Sequence, residues 1–208
     1  MPFSGGRNYR FLTLSGTFNN QQLFFRETPS GKPGDQDYRY LQGNLSWSMQ
    51  GQQARQHIFP RFAHILNLQY RGGIGKLKSQ QFLASAAVYL PGLHPNHNLV
   101  LGASYQSRDT LAQYVFTNNF ALSRGYPGLD FPRMARGSFN YHFPLFYPDL
   151  GLANIVYFLR VRANTWFDAT ALKSLRSGKT TVLRSTGVEV FFDTRWWNQQ
   201  AISFGVRY

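Results

Sequence analysis

The chain has 208 residues, Lys+Arg 22 against Asp+Glu 9, a net charge of +13, 17% aromatic residues and no cysteine. That size suits one domain or one barrel, and the absence of cysteine excludes a disulfide framework, a structural zinc cluster and a thiol nucleophile. The basicity would draw nucleic acid or an anionic membrane, but the arginines are scattered without runs of like charge, whereas a nucleic-acid face gathers them, so nucleic acid is not the expected partner.

No window approaches the ~18 apolar residues of a membrane-spanning helix, so only strands could cross a bilayer. Met1 to Arg7 has no apolar stretch of signal-peptide length. An exported protein would therefore be met here in mature form or as an internal piece of something longer.

From Arg10 the residues alternate, with Leu12, Leu14, Gly16 and Phe18 on one face and Thr13, Ser15 and Thr17 on the other. Period two over this length predicts a strand. Asn19 to Gln36, with Thr28-Pro29-Ser30-Gly31 and Lys32-Pro33-Gly34, reads as a long polar loop. A second strand, Tyr38 to Met49, sets Leu41, Leu45, Trp47 and Met49 against Gln42, Asn44, Ser46 and Ser48.

After a turn around Gly51 to Pro60, a third strand sets Phe62, His64, Leu66, Leu68 and Tyr70 against Asn67, Gln69 and Arg71. Arg71-Gly72-Gly73-Ile74-Gly75 reads as a loop. The fourth strand sets Phe82, Ala84, Ala86, Val88 and Leu90 against Gln81, Ser85 and Tyr89; after Pro91-Gly92, the fifth sets Leu99, Leu101, Ala103 and Tyr105 against Asn98, Ser104 and Gln106.

The long connection from Ser107 to Pro132 contains Leu122-Ser123-Arg124-Gly125-Tyr126-Pro127-Gly128, a guanidinium beside a glycine hinge and an aromatic ring. Beyond it a sixth strand sets Phe139, Tyr141 and Phe143 against Arg136, Ser138, Asn140 and His142, and Tyr147-Pro148-Asp149 supplies a tight turn. The seventh and longest strand places Ile155, Tyr157, Leu159, Val161 and Phe167 on one face and Arg160, Arg162, Asn164, Trp166 and Asp168 on the other. Two arginines and an aspartate on one face cannot form a hydrophobic core, because unpaired buried charge costs several kcal/mol or more. Leu172 to Thr180 is a polar loop, an eighth strand sets Val188, Val190 and Phe192 against Ser185, Gly187 and Glu189, and a ninth carries Ile202, Phe204, Val206 and Tyr208.

Two regularities follow. Connections after strands one, five and seven are long and polar, while those after four, six and eight are tight. One face of almost every strand is lipid-like and the other is rich in Asn, Gln, Ser, Thr and Arg. That inversion is expected of an antiparallel transmembrane β-barrel, here a partial one of about nine strands filling residues 1–208 as a single segment. Trp47, Tyr70, Tyr105, Tyr147, Trp196 and Trp197 fall near strand ends as candidates for an aromatic girdle. A soluble antiparallel sandwich or barrel with one wet face alternates in the same way and remains the alternative fold.

Arg124 and Asp168 are the expected pair, because few acids face inward and a guanidinium matches a carboxylate with two hydrogen bonds; Glu189 is the second candidate partner. Arg136, Asn140, Arg160 and Arg162 would line the same polar wall. His57, His64, His94, His97 and His142 show no metal-ligand spacing. His142 faces the polar side with no strand serine placed for it, and Glu189 and Asp193 share a face without a pocket for paired-carboxylate chemistry. No catalytic residue, cofactor or metal is expected.

Ser123-Arg124-Gly125-Tyr126, Gly137-Ser138-Phe139-Asn140-Tyr141-His142-Phe143-Pro144, Thr165-Trp166-Phe167-Asp168-Ala169-Thr170 and Ser185-Thr186-Gly187-Val188-Glu189-Val190, in that order and spacing, resemble the second half of the BamA/TamA-type outer-membrane assembly barrels, the bacterial surface antigen family of Gram-negative bacteria. The resemblance covers about Leu99 to Tyr208 by motif and the earlier strands more loosely. In that family a V/I-R-G-F/Y motif on a loop folded into the lumen pairs with the acid of an F-x-D-x-G motif on a following strand. This implies that Arg124, Gly125 and Tyr126 form a lumenal loop motif and that Phe167 and Asp168 match the strand motif in part. Thr170 stands where the family has glycine, and Asn140 where it often has glutamate.

The resemblance further implies an outer-membrane location, unfolded outer-membrane or secreted client proteins as partners, and a larger closed barrel usually preceded by POTRA domains. None of those domains is read here, so barrel strands missing from this segment, or supplied by partner chains, are expected. The alternatives are a passive outer-membrane pore or surface-antigen barrel and, in a different class, a soluble basic β-barrel binding single-stranded nucleic acid.

Overall fold

Every segment with period-two alternation forms a strand, and all of them join one antiparallel sheet. The structure, a computed structural model, describes residues 2–5, 8–23, 36–53, 57–74, 78–109, 116–153, 155–175, 177–197 and 199–208. In chain order the strands are β1 (Pro2–Gly5), β2 (Asn8–Leu23), β3 (Gln36–Gly51), β4 (Ala63–Ile74), β5 (Gln80–Pro91), β6 (Asn98–Arg108), β7 (Arg133–Phe146), β8 (Leu150–Leu152), β9 (Val156–Lys173), β10 (Thr180–Trp196) and β11 (Gln200–Arg207). Each pairs with its neighbour in sequence, except that β7 pairs with β9 and the three-residue β8 flanks the start of β9. Among the described residues no pairing joins β1 to β11, so the sheet is open.

The expected strand count is corrected from about nine to eleven. Pro2–Gly5 and Leu150–Leu152 are too short to show a period and are held only by β2 and β9. The expected loops also shrink. Asn19–Leu23 and Arg71–Ile74 extend β2 and β4, because their partners on β3 continue the ladder past the glycines and amides that read as punctuation. Thr28-Pro29-Ser30-Gly31, Lys32-Pro33-Gly34 and Gly75 lie outside the described residues.

Register departs from regularity at one corner. Pairing shifts between Pro144 and Phe146 on β7 and between Asp193 and Thr194 on β10, both against the first part of β9. Pro144 has no N–H to donate, so the ladder yields there. Past that point β7 leaves the sheet, and β8 takes its place against Val156–Phe158.

From β5 to β10 the two faces are sorted opposite to a water-soluble core, whereas residues 9–18 of β2 and all of β11 are exposed on both faces. Leu14 is 78% exposed and Phe18 60%; Leu41, Tyr70, Phe82, Leu101, Tyr105, Phe139, Phe167, Val188 and Phe204, all at the same parity, are exposed as well. Val161 and Ala163 share that apolar face but are buried, since larger Phe143, Phe146 and Phe192 stand in register beside them. On the polar face Gln81, Asn98, Gln106, Arg108, His142, Asn164, Asp168, Thr170, Glu189 and Asp193 are buried. Over Gln81, Gln106, Arg108, Asp168, Thr170 and Glu189 lies the chain itself, residues 116–132 of the β6–β7 connection, while Phe59 and Pro60 of the β3–β4 connection reach Asn98 and His142.

Candidate functional site: a loop arginine bound on the polar face

The covering segment is fastened where it leaves β6. Arg108, buried at the end of that strand, donates from Nη1 to the Phe116 carbonyl at 2.7 Å and forms an ion pair with Asp130. One guanidinium thus gathers both arms of the loop. Asn118 locks the interior, donating to the Leu129 carbonyl at 3.0 Å while its Oδ1 accepts from Gln106 Nε2 at 3.1 Å. The Phe116 ring meets Tyr38 and Tyr40 of β3 with centroids 5.7 and 5.2 Å away. Phe120 enters a small apolar cluster with Met134 and Leu172, flanked by Leu83 and Leu183. These leucines and the methionine are apolar residues at polar-face positions, all near the loop end of their strands, a grouping the strand-by-strand reading passed over.

The loop then descends to the charged site. Ser123 donates from its backbone N to Thr170 Oγ1 at 3.1 Å, and the two hydroxyls lie 2.7 Å apart. The threonine that replaces the glycine expected from the motif therefore has a local function as the partner of Ser123. Arg124 donates to Asp168 Oδ2 from its backbone N at 3.1 Å and from Nε at 2.9 Å, and to Oδ1 from Nη2 at 3.2 Å. Nη2 also reaches Asn140 Oδ1 at 2.6 Å, and Nη1 reaches Glu189 Oε1 at 3.4 Å. The buried Asp168 takes a further bond from Arg136 Nη2 at 3.1 Å. Such charge-assisted, partly bidentate bonding to a fully buried carboxylate fixes orientation more strongly than neutral hydrogen bonds do.

Gly125 follows with φ +87°, the left-handed region that disfavours a side chain and lets the chain turn away from Asp168. Tyr126 then donates from its hydroxyl to the Arg184 carbonyl of β10 at 2.9 Å. Loop residues 123, 124 and 126 therefore bridge β9 and β10, with Asn140 of β7 as a third support.

The arginine also has an aromatic partner, Trp166, which the motif does not include. Phe167, next to Asp168, points to the apolar face and is exposed. Trp166, two residues before the aspartate, lies under the guanidinium, with Arg124 Cζ 4.1 Å from its ring centroid, a cation–π contact. The signal was present in the period, since Trp166 shares the parity of Asp168. Trp166 itself lies across Gly187, its register partner on β10. A Cβ on Gly187 would come within 2.7 Å of the indole and would also meet the Tyr208 carbonyl. Gly187→Val is accordingly expected to lower stability by about 1–3 kcal/mol through overpacking, read as a drop in the midpoint of thermal unfolding. An unchanged midpoint would contradict the indole's placement.

Glu189, the second expected acid, serves several partners. It accepts from Asn164 Nδ2 at 2.8 Å, from Arg207 Nε at 2.5 Å and from Arg124. Asn140 and Asn164 are within 3.3 Å of each other, so the lumenal-wall candidate Asn140 joins this network.

Arg160 and Arg162 are not brought to Arg124. Arg160 Nε pairs with Asp193 at 2.6 Å and Arg162 Nε at 3.1 Å, making a second, separate charge cluster. Ser203 of β11 adds a bond to Asp193 at 2.6 Å, and the Arg162 guanidinium stacks on Phe191 at 4.3 Å. Asp193, which shares a face with Glu189, accepts from both arginines and offsets one of their two charges. His142 lies 3.4 Å from Arg162, His97 2.8 Å from Tyr141 and His64 2.9 Å from Trp47. Among the described residues no three His, Cys, Asp or Glu side chains gather as metal ligands.

Comparison with protein-family models, curated proteins and solved structures gives no match for this chain.

Proposed function

We propose that this chain is wall and plug of an outer-membrane β-barrel of the protein assembly or translocation type, which inserts or translocates client proteins and performs no enzymatic chemistry. The observation that carries the reading is the inversion of faces together with the loop arginine. Phe139 and Phe167 lie open while Asn164 and Asp168 beneath the loop are buried, the sorting that suits hydrocarbon outside and a polar lumen inside. Lipid cannot satisfy open backbone edges, so the sheet would be completed by further strands, from a longer barrel or a partner chain. In such a machine a client strand pairs with an exposed edge, while the loop held by Arg124, Gly125 and Tyr126 braces the wall.

The test is reconstitution into lipid vesicles followed by addition of a urea-denatured outer-membrane barrel as client. The expected result is flotation with the vesicles and faster client folding, seen as a heat-modifiable shift in gel mobility. Recovery of the chain in the aqueous phase, or client folding at the rate of empty vesicles, would refute the proposal. A passive pore is the second reading, favoured by five arginines, Arg124, Arg136, Arg160, Arg162 and Arg207, sharing three acids, Asp168, Glu189 and Asp193, in the ion pairs of the polar face among the described residues. That excess of positive charge would select anions. Steady anion-selective conductance in a planar bilayer, without an effect on clients, would favour it.

A further inference from the structure

Four connections at one end of the sheet each expose a large apolar residue among polar ones. At this end lie the β3–β4, β5–β6, β7–β9 and β10–β11 connections. They expose Phe62 at the base of the β3–β4 connection, and Leu93, Leu152 and Trp197, with Leu93 97%, Leu152 64% and Trp197 62% exposed. The richest is the hairpin that carries β8, where Phe146 and Leu150 are exposed too. Asp149, Ala153 and Trp197 hold φ near +50° (49°, 49° and 47°), and Trp197 N donates to the Ile155 carbonyl at 2.8 Å, knitting two neighbouring turns. Left-handed backbone at residues other than glycine persists only where the surroundings enforce it.

We infer that the turn end of the sheet is seated in the headgroup layer of a bilayer, with the β8 hairpin as its deepest contact. The inference rests on the membrane reading above and adds where along the strands the bilayer sits. A protein partner would bury one contiguous patch, whereas exposed apolar residues recur on four connections distributed from β3 to β11, as contact with a plane requires. Beyond the register shifts on β7 and β10, Leu150 and Leu152 pair with Phe158 and Val156, so apolar side chains continue to this end of β9. Arg10, Arg61 and Arg195 are exposed at the same level, and guanidiniums beside Trp and Tyr suit the phosphate zone.

Strand length points the same way. β9 has 18 residues and β10 has 17, which at usual rise and tilt reach about 40 Å, against an apolar band of about 25 Å. The surplus must project from one side. Lys78, Asp109, Arg133, Lys173 and Lys179 are exposed at the loop end, so the overhang stands in water there.

The cysteine-free chain allows the test. Single variants Leu93→Cys, Leu152→Cys, Phe139→Cys and Ser177→Cys are labelled with an environment-sensitive fluorophore in the full chain and reconstituted into phosphatidylcholine vesicles containing lipid brominated near the carbonyl end of its acyl chains. Strong quenching at positions 93, 152 and 139, with none at 177, is the expected result. Quenching at 139 while 93 and 152 report water would overturn the seating and leave the membrane reading standing. Absence of quenching at 139 as well would overturn both.

Discussion

Asp168→Ala is expected to lower the stability of the folded chain by about 3–5 kcal/mol, the usual loss when one member of a buried ion pair is removed and its partner is left behind. The carboxylate is fully buried and accepts from the backbone and side chain of Arg124 and from Arg136. Without it, two guanidiniums face each other across an uncharged gap. Asp168→Asn keeps the shape, but turns an amide NH₂ toward donors at one of its two positions, so most of the loss should remain. Arg124→Ala leaves Asp168 with Arg136 and should cost less than Asp168→Ala. The double variant should cost less than the sum of the singles, because each removes the same contact. Urea unfolding of the vesicle-reconstituted protein measures the energies, and trypsin cleavage after Arg124 measures loop release. Unaltered unfolding together with a loop still resistant to trypsin in Asp168→Ala would show that the pair does not hold the loop.

Glu189→Ala should act at a distance along the sheet as well as on the loop. One oxygen, Oε1, receives Arg207 Nε from β11 at 2.5 Å and Arg124 Nη1 from the loop at 3.4 Å. β11 needs that help, since among the described residues only β10 pairs with it and all eight of its residues are exposed. Its other polar-face fastening is Ser203 on Asp193. Loss of Glu189 removes a charge-assisted bond from β11 and leaves Asn164 Nδ2, Arg124 and Arg207 short of an acceptor, with an expected cost of about 3 kcal/mol. Amide hydrogen exchange gives the local readout. Residues 200–207 should exchange at least about tenfold faster, a difference of 1.4 kcal/mol in opening free energy, while β4 and β5 keep their protection. Equal protection of β11 in both proteins would mean that its backbone pairing alone holds the strand.

The two positions also show why a sequence reading finds some partners and misses others. Arg124 and Asp168 stood out because acids inside strands are scarce in a chain with 9 Asp+Glu, so little competed for the loop guanidinium. Arg160 and Arg162 gave no comparable hint of Asp193, which lies 33 and 31 residues further on. Asp193 stands directly opposite Arg160 where the regular β9–β10 ladder ends, and that pairing register is not encoded in any local pattern. Trp166 was legible by parity but hidden by its neighbour Phe167, the aromatic nearer to the aspartate in sequence.

By itself the sequence determined the strands and which side chains share a face, because the period of two is a local property of extended backbone and repeats within each segment. Only the tertiary structure decided that the sheet is open, that β1 and β8 exist as strands, that the apolar cluster around Met134 seats the loop, and that Asn140, Thr170, Trp166 and Glu189 converge on its arginine and serine. Those depend on which residues 16 to 65 positions apart are brought side by side. That is set by pairing register and by bulges, where a displacement of one residue exchanges the two faces.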